Sequence, residues 1–368
     1  MKNPATISCL SPFHFNSQIT MKNRLVLAPM TNSQSHQDGS LGDDEFQWLL
    51  SCAQGGFGMI ITCAAFITEH AKAWPGQLGI HNDEMIPRLA DLSQALKAEQ
   101  AVSIVQLFHG GVRSSSRVTG QQPVSASEFE LTFPGFEKPK ALTRQEIHTL
   151  VTEFANAAVR ACQAGFDGVE LHGANGYLIT QFLSTDTNSR QDEYGGTIEN
   201  RARFLREIMQ ACKKRVPADF LVGVRLLPEG GGLDFDEMLQ VAQWMKDDGA
   251  SYFHLSLIDS QAVPKKHEQS SQKTIIQYFR EQLKADYPLI GGGAIKTAAD
   301  ANKSIAEGAS LVYLARTAIG NTRWPLLIEE ADFAPVLPPY TAEYLEQSGL
   351  SAAFRGYLAT MPKGFVLS

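Results

Sequence analysis

The sequence predicts a single large (β/α)8 (TIM) barrel. Three observations carry this prediction: a length of 368 residues, eight short apolar runs, and an amphipathic helix pattern between successive runs. The apolar runs lack the apolar/polar alternation of half-exposed strands, which suits a parallel sheet buried on both faces. Eight such units favour closure. An open doubly wound sheet has the same periodicity and stays the alternative.

In chain order, residues 1–24, with Pro4 and Pro12, read as a cover over one end of the fold. Residues 25–30 form the first buried strand. A helix runs from Gly42-Asp43 to Gln54 with Phe46, Leu49 and Leu50 on one face, and Gly55-Gly56 ends it. Residues 58–66 are the second strand. The helix at 83–99 carries Ile86, Leu89, Leu92 and Leu96 at helical spacing, and 102–108 is the third strand. The stretch 109–142 breaks the rhythm with Gly110-Gly111 and three prolines; it reads as a lid or small hairpin excursion, since long irregular loops are usually functional. Thr143 caps the next helix, to Ala164, and Glu146 completes a capping box.

The fourth strand is 168–171 and ends on His172. The fifth to eighth are 220–226, 252–257, 288–293 and 311–316. Helices at 198–215, 235–248, 273–284 and from Thr297 to Glu307 separate them, with a last helix at 324–330. The tail after Pro335 fits an extension over the barrel or onto a partner subunit, so a homo-oligomer stays open.

A hydrophobic content of 43% and a charged content of 19% describe a soluble globular chain. The net charge of -7 argues against a nucleic-acid partner. No apolar run reaches the ~18 residues of a membrane span, and none at the N-terminus suits a signal peptide. The five cysteines form no CxxC pair and no zinc spacing, so no metal site is expected and a reducing, cytoplasmic setting is.

In this architecture catalytic groups sit where strands end at the C-terminal face. Gly291-Gly292-Gly293-Ala294, just before a helix, offers backbone N–H groups to an anion, and the loops after strands seven and eight commonly bind phosphate in this fold. Arg316 adds a charge-assisted partner. The plain alternative is a tight turn with Arg316 salt-bridged to a helix. His172 and Asn175 are three apart. If the chain turns helically there, two donors share one side and suit a developing oxyanion. Tyr177, protonated at neutral pH with an ordinary pKa near ~10, is a candidate general acid. The structural alternatives are a strand-end histidine and a tyrosine packed on the rim. Arg225, inside an apolar strand, needs a ligand or a carboxylate such as Glu170. A planar heterocycle rich in donors and acceptors would satisfy Gln106, Arg225 and Thr31 together. Cys63 has no base beside it in sequence and reads as inert.

The block HGANGYLITQFLSTDTNSRQDEYGGTIENRARFLREI closely resembles the signature of the old yellow enzyme family of FMN-dependent ene-reductases. Weaker matches fall in the right order: APMT at 28–31, the strand through Gln106, Val224-Arg225-Leu226 and Ala315-Arg316. The resemblance implies a (β/α)8 barrel with FMN at its C-terminal mouth and NADH or NADPH as the transient hydride donor. It implies Thr31 at the flavin O4 edge, Gln106 at the pyrimidine edge and Arg225 beside N1 and O2. Pro29, Met30 and Ala64 would contact the ring, and Gly292, Gly293, Ala315 and Arg316 would hold the phosphate. His172 and Asn175 would bind the oxygen of a small-molecule substrate, and Tyr177 would donate the proton. Thr31 stands where one branch of the family has cysteine, and Asn175 replaces a second histidine; both point to the other branch. The family's compact HxGR is here His109-Gly-Gly-Val-Arg113. With no cysteine after Cys212, a single-cofactor, single-domain enzyme is expected.

Two other readings stay open on the residues alone. One is a phosphate-binding aldolase or isomerase on the same barrel, although no strand-end lysine is present. The other is a flavin protein with a sensing role or one reducing nitro compounds or quinones. The physiological substrate and the choice of nicotinamide are not encoded in any readable motif.

Overall fold

The computed structural model describes residues 8–130, 137–330, 333–361 and 365–366. Its centre is a closed barrel of eight parallel strands: β1 (Leu25–Leu27), β2 (Met59–Ile61), β3 (Val102–Phe108), β4 (Gly168–Gly173), β5 (Leu221–Leu226), β6 (Phe253–Leu255), β7 (Leu289–Gly292) and β8 (Leu311–Leu314). Each pairs with the next, β8 pairs with β1, and every pairing is parallel. The closed barrel, rather than an open sheet, is therefore the architecture. Seven helices follow successive strands: α1 (Asp43–Gln54), α2 (Ile86–Ala98), α3 (Arg144–Gln163), α4 (Ile198–Arg215), α5 (Phe235–Asp247), α6 (Ile275–Leu283) and α7 (Ala298–Ala306).

Local chemistry explains where these elements start. Thr143 Oγ1 accepts the Glu146 N–H at 3.2 Å, and the Glu146 carboxylate accepts the Thr143 N–H at 2.7 Å. This capping box satisfies donors that the first turn of α3 leaves unpaired, each cap contributing about 1 kcal/mol. Thr297 and Asp300 form the same box at α7, and the Asp234 side chain caps α5 by accepting the Asp236 and Glu237 N–H groups.

The core has two shells. The larger lies between sheet and helices; the smaller fills the barrel with Val26, Met59, Ile104, Tyr252, Ile290 and Tyr313 among others. A hairpin of Phe13–His14 and Thr20–Met21 closes the N-terminal end, where Met21 joins this inner cluster and Phe13, Phe15 and Ile19 pack against it. The barrel is narrow enough that a Cβ on Gly223 would stand 2.0 Å from the Tyr252 ring. Side chains alternate between the two shells along each strand. Thus Ile104 puts Gln106 inside β3, and Tyr252 puts His254 inside β6.

Two details differ from the sequence reading. The run at 58–66 is not one strand: it is β2, a break at Thr62–Ala64, and a separate pair, Ala65–Phe66, that bonds the far end of β3. The stretch 109–142 holds a 3-10 turn at Gly111–Arg113 and a short helix at Ser116–Thr119, and Val124–Ser125 pairs with Lys140–Ala141. That pairing is parallel, so the segment is not a hairpin. Its tip, 131–136, lies outside the described residues.

The C-terminal segment folds back on its own barrel. Its helices Ala342–Gln347 and Ala352–Ala359 reach the β1–α1 side, where Phe354 meets Trp48 edge-on at 5.2 Å and Ser351 Oγ donates to Gln34 Oε1 at 2.6 Å. No helix among the described residues is long and apolar enough to cross a membrane.

Candidate active site

The mouth of the barrel collects the polar strand ends. Gln106 is 1% exposed, Glu170 0%, His172 5%, Arg225 8% and His254 0%. Such groups are stable inside only if paired. Gln106 Nε2 donates to Glu170 Oε1 at 2.8 Å, and His254 Nδ1 bonds Glu170 Oε2 at 2.9 Å. Burial alone would raise the Glu170 pKa, but His254, Arg225 and Gln106 outweigh it and hold the carboxyl below its usual range. Burial keeps His254 neutral, so its Nδ1 carries the proton and donates. The guanidinium of Arg225 lies 5.8 Å from the centre of the Tyr313 ring, and its Nε has no hydrogen-bond partner.

His172, one residue before the end of β4, lies on the same face as Glu170. Its Nδ1 accepts the Ala174 N–H at 3.4 Å. Burial first, and the neighbouring Arg225 charge next, hold its pKa well below the ordinary value, so the ring is neutral with its proton on Nε2. Tyr177 lies against it, ring centres 5.0 Å apart and edge-on, and Phe108 packs on both. Burial pushes the Tyr177 pKa up to about 12, only partly offset by Arg113, whose guanidinium is 5.6 Å from the ring centre.

The helical turn expected between His172 and Asn175 is absent. His172 is still strand, and Asn175 is an exposed turn residue at φ 60°, followed by Gly176 at φ 74°. The i, i+3 helical argument for their pairing therefore fails; a left-handed turn is open to asparagine because its short side chain tolerates positive φ. Gln181 fixes this turn, donating to the Gly176 carbonyl at 2.8 Å and accepting the Val112 N–H at 3.2 Å. The segment carrying Tyr177 is thus stitched to the loop after β3.

Pro29 and Ala64 are buried and Met30 half-buried, beside Thr31 at the end of β1. Tyr357, from the C-terminal segment, reaches this corner: burial raises its pKa, while a hydrogen bond with Thr31 offsets part of the rise. Cys63 is fully buried, and burial with the Glu45 charge keeps it a thiol, which agrees with an inert role.

Beyond β7 and β8 lies a cavity of about 410 Å3, lined by Gly293, Ala294, Lys296, Ala315, Arg316 and Thr317 among others. Two cations, Lys296 and Arg316, and one carboxylate, Asp259, open onto it. Arg316 is exposed and makes no ion pair among the described residues, contrary to the salt-bridge alternative. Gly293 has φ 107°, and a Cβ there would come within 2.9 Å of Ile258 and Asp259 backbone. Gly292 is as tight, with a Cβ 2.6 Å from the Tyr313 carbonyl. The start of α7, however, is not free for an anion. Thr297 and Asp300 already occupy it as a capping box, and the cavity is lined by the glycine turn and the residues that follow β8 rather than by that helix.

These features fit FMN. An orphaned buried Nε at Arg225, an anchored amide at Gln106 and a cationic, glycine-floored cavity nearby match a planar ring with a polar edge and a phosphate tail. Arg316→Ala should weaken FMN binding by roughly 10–100-fold, the worth of one charge-assisted hydrogen bond. Fluorescence titration of the apoprotein measures this.

His254, Tyr313 and Tyr357 carry no motif that marks them in the sequence. His254 and Tyr313 sit in runs that read as plain buried strand; their interior parity was the available signal. Nothing in the sequence places Tyr357 near Thr31.

Residues 9–332 match the family described as NADH:flavin oxidoreductase / NADH oxidase. The chain is 36% identical over 335 residues to a probable NADH-dependent flavin oxidoreductase, YqiG, of Bacillus subtilis (strain 168), covering 89% of each. It is 34% identical over 326 residues to the NADH:fumarate oxidoreductase of Klebsiella pneumoniae (strain 342), spanning 86% of this chain but 35% of that protein. Among solved structures it resembles the old yellow enzyme homologue from Zymomonas mobilis, with TM-score 0.78, 28% identity, and coverage of 92% of this chain and 96% of that one. Morphinone reductase in complex with tetrahydroNAD gives TM-score 0.78 and 28% identity, with coverage of 95% and 97%.

Proposed function

This chain belongs to the NADH:flavin oxidoreductase / NADH oxidase family, and we propose that it reduces electron-poor alkenes, such as enones, enals or nitroalkenes. Its cofactor is FMN and its reductant NADH or NADPH. When bound, FMN supplies the hydride chemistry, accepting from the nicotinamide and delivering to the alkene β-carbon. The chain's own residues do the rest.

Gln106, Arg225 and Thr31 hold the ring edge; Pro29, Met30 and Ala64 pack against it; Gly292, Gly293, Ala315 and Arg316 take the phosphate. His172 offers its Nε2 proton to the activating oxygen of the substrate, with Asn175 as a second donor, and so stabilises the charge that develops there. Tyr177 keeps its proton on the phenol oxygen until the α-carbon takes it. Phe108 packs against both rings, and Trp74 backs Phe108 edge-on at 5.3 Å.

The observation that carries this reading is the His172–Tyr177 contact. A neutral donor and a protonated phenol stand side by side at the end of β4. The test is anaerobic mixing of pre-reduced holoenzyme with 2-cyclohexenone, with product analysis. Return of the absorbance near ~450 nm together with saturated ketone is expected. Reoxidation by quinones or nitro compounds, with no enone, enal or nitroalkene reduced, would leave a flavin oxidoreductase and remove the alkene reading.

A further inference from the structure

The geometry points to Glu170 as a positioning residue that acts through Gln106 and Arg225: it orients the amide and sets the charge that FMN meets at the mouth of the barrel. This rests on FMN lying at that mouth. Glu170 is interior, 0% exposed, and two charged or polar side chains reach it from different strands, Gln106 Nε2 at 2.8 Å and His254 Nδ1 at 2.9 Å. In the β4–β5 register Glu170 stands opposite Gly223, and His172 opposite Arg225. Arg225 is therefore one inward-facing step above Glu170 on the neighbouring strand, and the register pairs it with His254 on β6.

Two consequences follow from carboxylate chemistry. A carboxylate only accepts, so Gln106 must turn its NH2 toward Glu170. Its carbonyl oxygen and second N–H are then left for a ligand in one fixed orientation. A carboxylate also carries a buried negative charge next to Arg225, and a neutral His254 does not cancel it. The cation that a ring edge meets is partly offset from below. Removing that anion strengthens the net positive field and favours the electron-rich form of a bound flavin. No polar side chain is needed at 223, and the structure has none. A Cβ there would collide with the Tyr252 ring, so glycine at 223 makes room for that ring, which lies close enough to Glu170 to feel its charge.

The two roles separate experimentally. Glu170→Gln keeps the length and removes the charge. Glu170→Asp keeps the charge and loses the reach needed to hold Gln106. Midpoint potentials are measured by dye equilibration on holoenzyme, and FMN dissociation constants by fluorescence on apoprotein. In Glu170→Gln, reduced FMN should gain about tenfold in binding relative to oxidised, a positive shift of about 30 mV for a two-electron couple. In Glu170→Asp, FMN affinity should fall about tenfold while the potential stays near wild type. A Gln variant at the wild-type potential overturns the charge role; an Asp variant with wild-type affinity overturns the positioning role. If one variant does not fold, the other still decides its own role. Wild-type protein that binds no FMN would overturn the cofactor reading itself, before any variant is compared.

Discussion

Tyr177→Phe should slow alkene reduction by about 10²–10⁴-fold, or roughly 3–5 kcal/mol of transition-state stabilisation, while reduction of FMN by NADH or NADPH is spared. The ring is kept, so its contacts with His172 at 5.0 Å and Phe108 at 4.5 Å survive and only the proton is lost. Stopped-flow measurement of the two half-reactions separates these effects. An enone step unchanged in the variant would exclude Tyr177 as the donor.

The same residues set a pH expectation. Burial pushes Tyr177 up to about 12 and holds His172 well below its ordinary value. Both are therefore in their working protonation states across neutral pH. The alkene step should be flat from roughly pH 6 to 10 and fall only as Tyr177 begins to ionise. A bell centred near neutrality in single-turnover rates would contradict these assignments.

Arg201→Ala should lower stability by roughly 2–4 kcal/mol without touching the mouth of the barrel. Arg201 is 2% exposed and lies in the first turn of α4. It donates to the carbonyl of Leu183, to that of Gly196 at 3.1 Å, and to Glu237 of α5 at 2.6 Å. Glu237 is a third exposed, so its loss is screened by water. The larger cost is the two carbonyls left without their donor. Leu183 ends the helix that begins directly after Tyr177, so Arg201 braces the segment that follows Tyr177 against two barrel helices. A thermal scan should show a drop of roughly 2 °C per kcal/mol lost. An unshifted midpoint would mean that water replaces the guanidinium at no cost.

The readable parts of this chain were the local ones. Each barrel strand announced itself as a short apolar run, and the capping box at Thr143 and Glu146 is visible as two letters three apart. Lone polar residues inside such runs, Gln106 and Arg225, could be flagged because burial demands a partner. What a partner would be was less readable. Glu170, the carboxylate read as a partner for Arg225, does feel its charge, but its hydrogen bonds go to Gln106 and His254. Spacing also misled where backbone conformation decides. Three residues apart means one face only on a helix, and the His172–Asn175 segment turns left-handed instead. The glycine run suggested a helix N-terminus for phosphate, but Asp300 already caps it.

By itself the sequence determined the barrel and the family, because periodicity and a long motif are properties of neighbouring residues. The tertiary structure decided what touches what across the barrel. Strand closure sets Glu170 beneath Gln106 and beside His254, and brings Tyr357 from the far end of the chain to Thr31. Those contacts depend on register and chain return, which bring together residues that are distant in sequence and are not encoded in any local spacing.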